Sequence, residues 1–207
     1  MSSVDKQKVI ETAVKIIAKS EGKYNSIVRN DNGACSIGIM QWHADRALNL
    51  LRDMIKANGK LDAITSIGPL LVAEITKNKT TWAKRKLGNI EKELLSKYIS
   101  SDKNVVIQDV TANKDIRVYV DKVVGLGVTN VGAIIYLADA LHQYGINSKV
   151  WLDLINEVKS TVSGEMVVDD IHRVAINNKT LRKYINRRAN TFKAIIALPI
   201  SRYSIKL

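Results

Sequence analysis

The run from Val131 to Tyr144, VGAIIYLADALHQY, constrains the fold of this chain more than any other stretch. It opens after Thr129-Asn130, either of which can cap a helix, and it stops at Gly145. A helix without a wide polar face has to be covered on all sides, so its neighbours must wrap it. Its apolar part, residues 131–141, is far shorter than the roughly 20 residues that cross a bilayer, and it contains Asp139. It is therefore expected to be a core helix.

The rest of the chain supplies the wrapping. Apolar residues at helical spacing mark residues 4–20 (Val9, Ile10, Ala13, Val14, Ile16, Ile17), with Ser2 or Ser3 as cap and Gly22 as stop. Further helices are expected over 43–57, from Pro69 to Lys77, over 82–87 after Thr80 or Thr81, and over 89–99. Two more follow over 102–113 and 115–124, then 148–158, 169–176 and 180–198, the last ended by Pro199. In that last segment Leu181, Tyr184, Ile185, Phe192, Ile195 and Ile196 form one stripe. Arg182, Arg187, Arg188 and Lys193 lie off it, as an exposed basic face. Trp82 and Trp151 read as packing residues.

The helical period is lost only between residues 24 and 40. Asn30-Asp31-Asn32-Gly33 is a strong turn signal, because these residues tolerate positive φ, and residues 24–28 and 35–39 are the two short strands it would join. The predicted class is α+β, mainly α, with one small β-hairpin and about eight to ten helices. With 207 residues, 2 prolines and 11 glycines, the chain has no linker-like stretch. It is expected to form a single domain over 1–207, with room for two lobes, the smaller over about 20–60.

Lys and Arg number 32 against 20 Asp and Glu, a net charge of +12. Residues 171–207 carry nine of the cations and no acid. Such a chain is drawn to polyanions. Specific nucleic-acid binding is not expected, since only 5% of residues are aromatic and base stacking needs more. A lone cysteine, Cys35, excludes an internal disulfide and suggests synthesis in a reducing compartment. Residues 1–17 lack a basic stretch followed by an apolar run, so no secretory signal is expected. The three histidines are far apart and no zinc-binding motif occurs, so neither metal nor other cofactor is expected.

Chemistry concentrates between Glu21 and His43. Glu21 falls in the last turn of the first helix, where the helix dipole disfavours negative charge, and Asp31 falls on the turn. A carboxyl kept protonated beside a solvated carboxylate is what glycoside hydrolysis requires: one donates a proton to the leaving oxygen, the other activates water or attacks. Spacing alone carries little weight, since any chain of this size holds several such pairs. The string Glu21, Asp31, Ser36-Ile37-Gly38-Ile39, however, resembles the active-site hairpin of phage-type lysozymes, with Asp31 one residue later than usual and Ser36 in place of Thr. Gly38-Ile39-Met40-Gln41 resembles the Gly-Leu-Met-Gln motif of lytic transglycosylases and goose-type lysozymes. Asp31-Asn32-Gly33 through Ser36 and Gly38-Ile39 is similar to a segment of chitosanases.

The resemblance covers roughly residues 17–43 and implies a lysozyme-like fold and a peptidoglycan-degrading, muramidase-type endolysin. Glu21 would be the general acid, Asp31 the base or charge stabiliser, and Ser36 a holder of the attacking water. Gln41 would bind a sugar or orient Glu21, Trp42 would be a sugar platform, and His142-Gln143 would line the cleft. The alternatives are a transglycosylase using Glu21 alone, a chitosanase-like glycosidase, a Cys35-dependent amidase or endopeptidase, and a non-catalytic wall-binding module. The implied partner is the peptidoglycan glycan strand, with attraction of the basic C-terminal region to anionic wall polymer or membrane. A monomer without a separate wall-binding domain is expected, held in the host cytoplasm until its release to the wall.

Overall fold

The structure, a computed structural model, describes residues 3–206. Its helices are α1 (Lys6–Glu21), α2 (Asp45–Asn58), α3 (Lys60–Ile67), α4 (Pro69–Thr76), α5 (Asn89–Ile99), α6 (Asp102–Val124), α7 (Val131–Tyr144), α8 (Lys149–Thr161), α9 (Val168–Asn177) and α10 (Ile185–Ile196). The strands are β1 (Ser3–Val4), β2 (Ile27–Asp31), β3 (Ala34–Ile37), β4 (Trp42–His43) and β5 (Ser204–Ile205). β2, β3 and β4 form an antiparallel sheet, and β1 pairs in parallel with β5. The protein is thus α+β, mainly α, as expected. Among the described residues no helix is long and apolar enough to cross a membrane. The chain divides into two compact units, one of Met1–Ser20 with Asn113–Leu207 and one of Glu21–Ala112.

In the first unit α7 runs through the core, with every residue from Val131 to Leu141 buried. Asn130 caps it, its Oδ1 accepting from the Ala133 amide at 2.9 Å. Helices α8, α9 and α10 pack around it. Gly132 permits a close approach: a β-carbon there would lie 2.8 Å from the Ser201 carbonyl oxygen and 3.2 Å from Val168 and Ile195. In the same unit, α1 begins later than Ser3 would have placed it. Asp5 caps it, accepting from the amides of Gln7 at 3.0 Å and Lys8 at 3.4 Å. Ser2, the other expected cap, lies outside the described residues.

The basic face expected on 180–198 is a correction. Leu181–Tyr184 is a 3-10 turn and α10 starts only at Ile185, so the helix phase places Arg188, Thr191 and Ile195 inward. Arg188 is fully buried and pairs with the equally buried Asp139. Asp139 also accepts from Arg187 Nη2 at 2.6 Å and Thr191 Oγ1 at 2.9 Å. Burial pushes the Asp139 carboxyl up, but the Arg188 and Arg187 guanidiniums outweigh it and hold the group below its usual range. Tyr184, Ile185 and Ile196, expected on the apolar stripe, are exposed.

In the second unit α2 buries Ala47, Leu48, Leu50, Leu51, Met54 and Ile55, the expected stripe. It starts at Asp45, because residues 42–43 are spent on β4. Helix α3, not expected, fits between Gly59 (φ 90°) and Gly68 (φ 85°). Residues 82–87 are not a helix but a strap: Arg85 accepts from the Cys35 amide, the Leu87 amide donates to Arg29, and Asp45 accepts from Thr81 Oγ1. The predicted break at Asn113 is absent. With neither Gly nor Pro between Asp102 and Val124, α6 continues through all 23 residues.

Candidate active site

The hairpin turns one residue later than expected. Asn32 (φ 49°) and Gly33 (φ 98°) both take positive φ, the conformation of a two-residue type I′ turn, and Asp31 pairs with Ala34. Asn30 Oδ1 accepts from the Gly33 amide at 3.2 Å. The strands therefore run over 27–31 and 34–37, and Asp31 ends a strand instead of sitting on the turn. Side chains of residues two apart share a face of a strand, so Asp31, Ala34 and Ser36 lie together, with Ser36 diagonal to Asp31. His43, directly opposite Ser36 on β4, joins them.

The three polar groups on that face touch. Ser36 Oγ, fully buried, donates to Asp31 Oδ2 at 2.7 Å and lies 3.2 Å from His43 Nδ1, and His43 Nδ1 is 3.8 Å from Asp31 Oδ2. Asp31 and His43 keep 41% and 43% of their side-chain surface open, enough for a ligand to reach them. Asp31 and Ser36 are thus brought together despite the shifted spacing.

Glu21 ends α1 and belongs with the hairpin to the unit Glu21–Ala112. Gly22 follows it because nothing larger fits: a β-carbon there would lie 2.9 Å from Ser26 Oγ and 3.1 Å from Gln41 Nε2. The Lys23 amide donates to Ser26 Oγ at 2.7 Å, and the Gly38 amide donates to the Ser26 carbonyl at 2.8 Å, which ties the segment after Glu21 to the hairpin. Gln41, at φ 47°, donates from Nε2 to the Gly38 carbonyl at 2.9 Å. It therefore braces the chain next to Glu21, a structural task in addition to any contact with substrate.

A residue that sequence reasoning passed over sets this corner. Gln108 on α6 is fully buried; its Oε1 accepts from the Ile39 amide at 3.0 Å, and its Nε2 donates to the carbonyls of Tyr24 at 3.0 Å and Ile99 at 2.8 Å. Gly38 (φ 75°) lies against it, and a β-carbon there would overlap Gln108 Oε1 and come within 2.9 Å of the Trp42 ring. No local pattern announces such a glutamine. The pairing of His43 with Ser36 follows from the third strand, which the sequence does not signal.

Trp42, His142 and Gln143 are the other residues expected to meet the glycan. Trp42 is 1% exposed, so it presents no ring face to a sugar; opposite Ile37 on the sheet, it is packed into the core. His142 and Gln143 belong to the other unit. There His142 meets Tyr119 edge-on at 6.1 Å, and Gln143 Oε1 accepts from Arg188 at 2.8 Å. Cys35 is fully buried, and burial pushes its thiol up to about 11, so little thiolate is present near neutral pH. That removes the basis for a cysteine nucleophile.

No protein-family model matches the chain, and no curated protein sequence matches it. Solved structures with the same fold include the native chitosanase from Bacillus subtilis MY002 and a glutamate-to-alanine mutant of it complexed with 6 GlcN. Their identities to this chain are 14% and 15%; each has a TM-score of 0.57 and covers 93% of this chain and 87% of the other. The chain therefore shares its fold with these chitosanases.

Proposed function

We propose that the protein is a glycosidase that cleaves the glycan strand of peptidoglycan, with Glu21 as general acid, Asp31 as the general base that holds the attacking water, and Ser36, buried and so kept from the water it was expected to hold, as the group that orients Asp31. The observation that carries this reading is the 2.7 Å bond from Ser36 to Asp31, on a hairpin tied to the end of the helix that bears Glu21. The fold it shares with chitosanases supports glycosidase chemistry in general terms. In its finer form the reading is a muramidase-type endolysin, supported by the hairpin's resemblance to phage-type lysozymes.

In this mechanism the Glu21 carboxyl gives its proton to the glycosidic oxygen as the bond from that oxygen to the anomeric carbon breaks. A water held on the open side of Asp31 adds to the carbon from the opposite side and passes its proton to Asp31. Glu21 is left as carboxylate and Asp31 as acid, and exchange with solvent resets both. Because water attacks directly, the product anomer is inverted. The bonded Asp31–Ser36 pair favours this hydrolysis over a transglycosylase that works with Glu21 alone.

Charge favours the wall polymer as substrate. Peptidoglycan carries peptide carboxylates, whereas the free amines of chitosan take up protons and would be repelled by a protein of net charge +12. Chitosan is the second reading, kept because the structural neighbours are chitosanases. The test is release of reducing ends from purified peptidoglycan and, in parallel, from chitosan, with mass spectrometry of the products. Wild type should release hydrolysed, not anhydro, ends from peptidoglycan, and Glu21→Gln should lose at least about 100-fold in rate. Equal release by Glu21→Gln and wild type would overturn the mechanism; anhydro products would favour the transglycosylase.

A further inference from the structure

The geometry points to His43 as a positioning residue: we infer that its Nδ1–H donates to Ser36 Oγ, committing the serine proton to Asp31 and so fixing the direction of that carboxylate. The consequence for catalysis rests on the glycosidase reading above, whereas the hydrogen-bond assignment stands without it.

A serine hydroxyl has one proton and two lone pairs, and an ionised carboxylate only accepts. At 2.7 Å from Asp31 Oδ2, the Ser36 hydroxyl is the donor of that bond. Its proton is then used, and the contact with His43 Nδ1 at 3.2 Å has only one possible sense: the imidazole donates and the serine accepts. The ring must carry a proton on Nδ1, which holds for one neutral tautomer and for the imidazolium alike. His43 is too far from Asp31 to bond it, at 3.8 Å, so its influence passes through Ser36.

The register fixes this contact before any ligand arrives. Ser36 and His43 are direct cross-strand partners, and the next residue, Ala44, donates its amide to the Cys35 carbonyl at 2.9 Å, closing the strand pair. Without His43 the buried hydroxyl could turn its proton away from Asp31. With it, the proton stays directed at Oδ2, and the half-open carboxylate is held in one orientation toward whatever reaches its other oxygen.

Two measurements test this on the whole protein. The 15N chemical shifts of the His43 ring, taken on wild type near neutral pH, should show Nδ1 protonated, and Ser36→Ala should shift that signal. Kinetics on peptidoglycan should show His43→Ala lowering kcat about tenfold with KM unchanged, the scale of one lost positioning hydrogen bond. His43→Asn, whose amide nitrogen falls near the place of Nδ1, should recover to within about threefold, while His43→Gln, with its amide one bond farther out, should not. In the Ser36→Ala background His43→Ala should cost nothing more. An unprotonated Nδ1, an effect confined to KM, no recovery by Asn, or full multiplication of the two losses would each overturn the proposal. A protein inactive on every glycan would sink the glycosidase reading but leave the ring assignment to be decided by the spectrum.

Discussion

Asp139→Asn is the substitution with the largest calculable cost. In the wild type the carboxylate takes hydrogen bonds from Arg187, Arg188 and Thr191, and both it and Arg188 are fully buried. An amide in its place can still accept, but it brings no charge to balance a guanidinium removed from water. Breaking a buried pair in this way costs roughly 3–5 kcal/mol, against a total of about 5–15 for a natural protein. With a urea slope of about 2 kcal/mol per molar, the midpoint should fall by roughly 2 M at unchanged slope. The double variant Asp139→Leu with Arg188→Met removes both charges and should recover most of that loss. Acid should act like the mutation. Asp139 is held below its usual range in the folded protein, so its stabilising contribution is fully present above the unfolded value of about 4 and is lost as pH falls through the folded one. Wild-type stability should therefore drop more steeply below about pH 4 than that of Asp139→Asn. A midpoint change under 0.5 M for Asp139→Asn, or parallel acid profiles, would refute the assignment of this cluster as a stabilising ionic network.

Two further substitutions probe the hairpin. Gln108→Leu leaves the Ile39 amide and the Tyr24 and Ile99 carbonyls without the amide that serves them, and should cost roughly 3 kcal/mol in urea unfolding together with a loss of kcat; an unchanged midpoint would show that the glutamine does not hold the hairpin. With its thiol raised to about 11, Cys35 should react with a thiol reagent roughly 100-fold more slowly in the native protein than after unfolding, and Cys35→Ser should keep its activity; rapid native labelling would contradict the burial.

What could be read from sequence was whatever local chemistry decides. Helix α7 keeps its expected bounds because Asn130, an unbroken apolar run and Gly145 are all signals within one segment. The turn was legible as a turn but not in register, since Asn30-Asp31-Asn32-Gly33 offers more than one central pair. The Asn32-Gly33 pair is the one in which both residues take positive φ. That one-residue difference moves Asp31 onto the strand, where it reaches Ser36. The misses are non-local. Arg188 looks like an outward cation until Asp139, 49 residues earlier, is known to face it. His43 looks like the first residue of α2 until β4 forms against β3. The continuity of α6 through Asn113 was hidden by a polar run that resembles a boundary but lacks a residue able to make one.

The buried cluster also refines what the positive charge can do. Arg187 and Arg188 turn toward Asp139, while Lys179, Arg182, Lys183, Lys193, Arg202 and Lys206 remain exposed along the acid-free end of the chain. Charge placed inside serves the fold, whereas charge left on the surface acts on whatever polymer approaches. A fold shared with chitosanases at 14% and 15% identity does not carry their substrate over, because what approaches a surface depends on its side chains and not on the backbone beneath them. Under the glycosidase reading proposed above, the net positive surface favours an anionic glycan over a cationic one, which is why peptidoglycan and not chitosan is the substrate we propose.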